Sequence, residues 1–118
     1  TEPANDQRTD LRRGLAISFA SIDTATSGDN TIVTADATQR VKVLSYVFVA
    51  DGTVAVRWKS GALTNLSGAM ALVVNTGVAS PIGTPSSWLM ETAVNEALVL
   101  NLGAAIGVRG HISYFLEA

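Results

Sequence analysis

The run Val41-Lys42-Val43-Leu44-Ser45-Tyr46-Val47-Phe48-Val49, then Ala50-Asp51-Gly52-Thr53, then Val54-Ala55-Val56-Arg57-Trp58-Lys59, decides how this chain folds. The last part is the clearest: Val54, Val56 and Trp58 point one way and Arg57 and Lys59 the other, the period of a half-buried strand. The first part is longer and less tidy. One face is Val41, Val43, Ser45, Val47 and Val49. The other begins as Arg40 and Lys42 and then becomes Leu44, Tyr46 and Phe48. A strand that is polar at one end and apolar on both faces at the other leaves solvent partway along and enters a core or an interface. The Asp51-Gly52 pair between the two strands predicts a tight hairpin, since Gly accepts positive φ.

The same grammar continues outward. Leu15, Ile17 and Phe19 alternate with Ala16, Ser18 and Ala20. A turn-rich Thr24-to-Asn30 segment follows, and then a short strand over residues 31–35. Beyond Lys59 come short runs at Leu63 to Leu66 and at Ala69 to Val74, the latter apolar on both faces. Residues 75–87 contain Gly77, Pro81, Gly83 and Pro85 and form the longest irregular loop. Residues 88–92 and 97–102 flank the turn Ala93-Val94-Asn95-Glu96. The last strand sets Ile106, Val108, Ile112, Tyr114 and Leu116 on one face, with Gly107, Arg109, His111, Ser113 and Glu117 on the other. About eight short strands with turns every 8 to 12 residues predict an all-β antiparallel sandwich, jelly-roll-like.

The chain has 118 residues, enough for one domain with a real core. Apolar residues are 47% of it, and mean hydropathy is +0.30. That richness, with the two-faced runs at 44–49 and 69–74, predicts burial between copies, through Leu44, Tyr46, Phe48, Met70 and Leu72. Net charge is −2, with no basic stripe for nucleic acid. Cysteine is absent, so no disulfide braces the fold, and no apolar run approaches a membrane span. The first residues are polar and charged, unlike a signal peptide, and a start at Thr1 fits removal of an initiator methionine, although a proteolytic cut or an arbitrary boundary would look the same. Residues 1–13 hold six of the 18 charged residues and one larger hydrophobe, Leu11. They are expected to form an extended polar arm ahead of the 14–118 domain, with Arg8, Arg12 and Arg13 as its anchors.

Catalytic equipment is sparse. His111 is the one histidine, and a metal site would need it repeated around a threefold axis. There is no G-x-S-x-G and no phosphate-loop pattern. Glu91 and Glu96 flank a turn and read as solvated acids rather than a glycosidase pair. Trp58 belongs on an apolar face. Trp88 follows the Pro/Gly loop and is the candidate for an exposed contact.

Several segments together resemble small virion proteins of tailed bacteriophages, over about residues 30–116. These are Val41-Lys42-Val43-Leu44-Ser45-Tyr46-Val47, Val54-x-Val56-x-Trp58-Lys59-Ser60-Gly61, Leu66-Ser67-Gly68-Ala69-Met70, Glu91-Thr92-Ala93, Glu96-Ala97-Leu98-Val99-Leu100-Asn101-Leu102 and Val108-x-Gly110-His111-Ile112-Ser113-Tyr114. Asn95 departs from the pattern, which has Gly there, although Asn also accepts the left-handed conformation. Those relatives are head-decoration, cement or unspecified structural proteins. The resemblance implies a trimer on the capsid surface, with the major capsid protein and itself as partners. It implies no enzyme activity, no cofactor, no nucleic acid and no membrane. A second reading is a receptor- or carbohydrate-binding module of a tail tip or fibre, using the 75–88 loop and Trp88.

Overall fold

A computed structural model describes residues 16–118 and shows an all-β chain. Its strands are β1 (Ser18–Thr24), β2 (Gly28–Val33), β3 (Arg40–Ala50), β4 (Val54–Ser60), β5 (Thr64–Asn65), β6 (Met70–Leu72), β7 (Gly77–Ala79), β8 (Met90–Glu91), β9 (Leu98–Leu102) and β10 (Val108–Glu117). They form two antiparallel sheets. Sheet A runs β1-β10-β3-β7, with β8 pairing farther along β3. Sheet B runs β2-β9-β4-β5, with β6 pairing farther along β4. Each sheet therefore has one edge split into two short pieces. Taking each split edge as one position gives eight positions, in the orders 1-8-3-6 and 2-7-4-5.

The two sheets face each other across one core. Trp58 of β4 is its centre, wholly buried, with its ring 5.3 Å from that of Tyr46 and 6.1 Å from that of Phe48. Ile22, Val41, Val43, Val56, Leu98, Leu100, Leu102, Val108 and Ile112 complete it. The alternation over residues 54–59 thus faces as expected, and so does the apolar face of β10. The Trp58 indole Nε1 is buried without a hydrogen-bond partner.

Two turns differ from expectation. Asp51-Gly52-Thr53 does not close a hairpin: β3 lies in sheet A and β4 in sheet B, so the turn carries the chain across the core. Asp51 N–H donates to the Gly107 carbonyl at 2.8 Å, which ties this crossing to the one before β10. The 93–96 turn likewise crosses, from β8 in sheet A to β9 in sheet B. Thr92 Oγ1 accepts from Val41 N–H at 2.9 Å on the sheet A side. Ala93 N–H donates to Ser60 Oγ at 3.0 Å on the sheet B side. Asn95 has φ 64°, so it does take the left-handed conformation. Turn composition identifies a reversal but not which sheet receives the next strand.

The first strand is also displaced. It reaches Thr24 rather than ending near Ala20, and Ala20 and Ile22 face the core. Phe19 faces outward and is 73% exposed.

Candidate functional site

The outer face of sheet A is the surface with the most distinctive chemistry, and a defect in β3 creates it. Val43 pairs with Tyr114 and Ser45 with Ser113, so Leu44 has no opposite number on β10. This bulge shifts the phase of β3 by one residue. Val41 and Val43 face the core before it; Phe48 and Ala50 are buried in the core after it, and Tyr46 packs against the same core. Ser45, Val47 and Val49 then turn outward. One apolar face thereby supplies the core before the bulge and the other after it, which leaves Val47 and Val49 on the outer face.

That result corrects the reason for expecting a second copy at this strand. Leu44, Phe48 and Leu72 are buried within the protomer, and Tyr46 and Met70 are half-buried against its core. Phe48 and Leu72 are core residues, not a seam. In the 69–74 run, Val73 and Val74 remain exposed, on a crossing loop.

Across the outer face, Phe19 lies opposite Ser113, which lies opposite Ser45. Ser21, His111, Val47 and Ala79 form the next row. The Ser45 and Ser113 hydroxyls share a hydrogen bond of 2.6 Å. Asp23, Arg109 and Val49 form the third row, where Arg109 Nε sits 3.3 Å from Asp23 Oδ1 and Arg109 Nη1 pairs with Asp51 Oδ2. The Asp51 hydrogen bond, then the Asp51 and Asp23 charges, raise the Arg109 pKa still further above its ordinary value. The middle of the face thus presents small, hydroxyl and aliphatic side chains and the His111 imidazole, with ion pairs at its ends.

The opposite end is covered by the chain itself. Trp88 packs edge-on against Phe115, with ring centroids 6.1 Å apart. The Lys42 ammonium lies 4.1 Å from the Trp88 ring centroid and 2.9 Å from Glu117 Oε1. Gly83 N–H donates to the Leu44 carbonyl at 2.7 Å and Leu89 N–H to the Val43 carbonyl at 2.8 Å, which lays the 80–89 loop along β3. Lys42 is accordingly only 6% exposed. Trp88, expected as an exposed contact, is half-buried and already occupied by Lys42 and Phe115.

The remaining candidates are dispersed. His111 is exposed on the outer face. Glu91 pairs with Arg40 at 3.7 Å, whereas Glu96 accepts from Ser60 Oγ at 2.6 Å. The two acids are therefore tied to different sheets. Among the described residues no group of three or more His, Asp or Glu side chains is placed to hold a metal ion. Arg8, Arg12 and Arg13 lie outside the described residues. Sequence reasoning missed Phe19 and the Lys42–Trp88 contact. The available signal for Phe19 was Ile22, whose apolar phase is opposite to that of Phe19.

No family model matches the chain, and neither a curated protein nor a solved structure matches it.

Proposed function

We propose that this chain is a capsid decoration protein of a tailed bacteriophage: a jelly-roll body that sits as a homotrimer on the outside of the assembled head and stabilises it. The observation that carries the reading is the outer face of sheet A. A four-strand surface of Ser21, His111, Val47 and Ala79 beside Ser45 and Ser113, edged by the exposed Phe19, is chemistry for lying against another protein. The strand orders 1-8-3-6 and 2-7-4-5 are, in our reading, those of a jelly roll. The sequence resemblance points to the same class.

The mechanism is mass action. A ligand that binds only the assembled shell stabilises that state by its binding free energy, and many copies multiply a modest affinity per site. The major capsid protein is the partner, with Arg8, Arg12 and Arg13 as further anchors on it. No reaction is part of this role.

The test is to locate the protein in purified virions by electron microscopy and to measure its binding to emptied heads. Val47→Asp, on the outer face, is expected to leave the body folded and to abolish head binding. A location at the tail tip, or unchanged head binding by Val47→Asp, overturns the reading.

A further inference from the structure

The four sheet edges of this sandwich are not alike. The β7/β8 edge is broken into pieces of 3 and 2 residues, and the β5/β6 edge into pieces of 2 and 3. The β2 edge carries a register shift between Thr31 and Val33 and begins at Gly28, with φ 95°. Short pieces and bulges are how sheets avoid pairing with other chains. The β1 edge has neither device. It runs 7 residues in unbroken register against β10 and contains no Lys, Arg or Pro; its one charged residue, Asp23, is paired with Arg109 of β10.

Which backbone groups of β1 are open follows from β3. The Tyr46 carbonyl accepts from Ser80 N–H at 2.9 Å, and Tyr46 N–H donates to Ser80 Oγ at 2.8 Å, so Tyr46 points away from β10. Ile112, opposite Tyr46, therefore turns its own groups toward Ala20 of β1. Ala20 and Ile22 bond inward. Phe19, Ser21 and Asp23 direct their N–H and C=O groups to the open side. Among the described residues, no backbone bond outside the ladder reaches 18–24.

We propose that this edge pairs with the β1 edge of a second copy, antiparallel, about a two-fold axis at Ser21. Ser21 is the middle residue of β1, so this register lays the whole strand on its twin. Each outward N–H then meets an outward C=O: Ser21 faces Ser21 of the second copy, and Phe19 faces Asp23. Ala20 meets Ile22 on the inner side, so the apolar face continues across the junction. No like charges lie opposite each other. Phe19 is set beside the Asp23–Arg109 pair of the second copy, which offers its exposed ring a guanidinium. The pairing stands independently of the role on the head. It makes the number of chains in solution even: two by itself, six if a threefold contact also forms.

Sedimentation and light scattering at up to roughly 1 mM, a range that reaches weak interfaces, test it. The wild type is expected to form a dimer or hexamer. The Phe19, Ser21 and Asp23 amides should gain hydrogen-exchange protection only as concentration rises. Ser21→Pro removes a central outward N–H that β10 does not use, and should halve the mass. Should that variant not fold, Phe19→Asp decides. It changes an exposed side chain, sets like charges opposite each other, and should weaken association roughly tenfold or more. A wild type that stays monomeric or purely trimeric, or a folded variant that keeps the wild-type mass, overturns the proposal.

Discussion

Tyr114 of β10 lies opposite Val43, while its neighbour Ser113 lies opposite Ser45, two residues further along β3. The residue between them, Leu44, is the extra one that the bulge takes up, and the bulge keeps Tyr46, Phe48 and Ala50 on the core side. Deleting Leu44 removes the bulge and leaves Val43, Tyr46 and Phe48 on the core face in plain alternation, so the sandwich should still form. The deletion loses the buried Leu44 side chain and the bond that its carbonyl accepts from Gly83 N–H. Leu44→Ala keeps the bulge and should cost about 2–5 kcal/mol. Urea unfolding followed by circular dichroism is expected to show both variants folded and both less stable than the wild type. An unfolded deletion beside a folded Leu44→Ala would mean that Leu44 is not the extra residue.

Trp58 has no exposed surface, and its indole nitrogen has no partner. Trp58→Ala should cost about 3–5 kcal/mol. Trp58→Phe leaves a smaller void and also removes the orphaned N–H, so about 1–2 kcal/mol is expected. Equal losses in denaturant midpoint for the two variants would contradict this account of the nitrogen.

Lys42 and Glu117 are unequally placed: the Lys42 side chain is 7% exposed and that of Glu117 37%. Removing the carboxylate strands a buried ammonium, whereas removing the ammonium frees a carboxylate that water can reach. Glu117→Gln should therefore cost roughly 1–3 kcal/mol, and Lys42→Met, which keeps the stem against Trp88, less than about 1. Both variants should shift Trp88 fluorescence, with the buried Trp58 as an internal reference. Thermal melts that reverse the order would refute the argument.

Asp29 of β2 makes stability depend on pH. Its pKa lies below the ordinary carboxylate value, first because Asn101 Nδ2 donates to it at 2.7 Å and then because Lys59 lies 3.2 Å away. A depressed folded pKa stabilises the native state above the unfolded pKa of about 3.9, and that contribution fades as pH falls through the lower folded value. Asn101→Ala should lower stability at neutral pH, and the difference from wild type should shrink as pH drops below about 4. A difference that is constant from pH 7 to pH 2 would assign the effect to packing.

Side-chain period was enough to read the sandwich, the core position of Trp58 and the apolar face of β10. It failed where the cause was not local. The alternation at 41–49 shows two apolar faces, and nothing in it distinguishes a second chain from a bulge, because the residue that decides is Tyr114, some 70 positions away. The Asp51-Gly52 turn is written the same way for a hairpin and for a crossing. Trp88 looked exposed because its loop is rich in Pro and Gly, yet Lys42 and Phe115 are brought beneath it only by the β3–β10 ladder.

β10 lies between β1 and β3 in sheet A, although it follows both in the chain. Before Val108 and the residues after it emerge from a ribosome, β3 can pair with β7 and β8, but β1 has no neighbour in its sheet. Its Ile22 then stays uncovered until a strand more than 80 residues further along arrives. Folding of this kind waits on distant pairings and is slow. An apolar strand left waiting during synthesis is a substrate for chaperones, so chaperone supply should affect the yield of this protein.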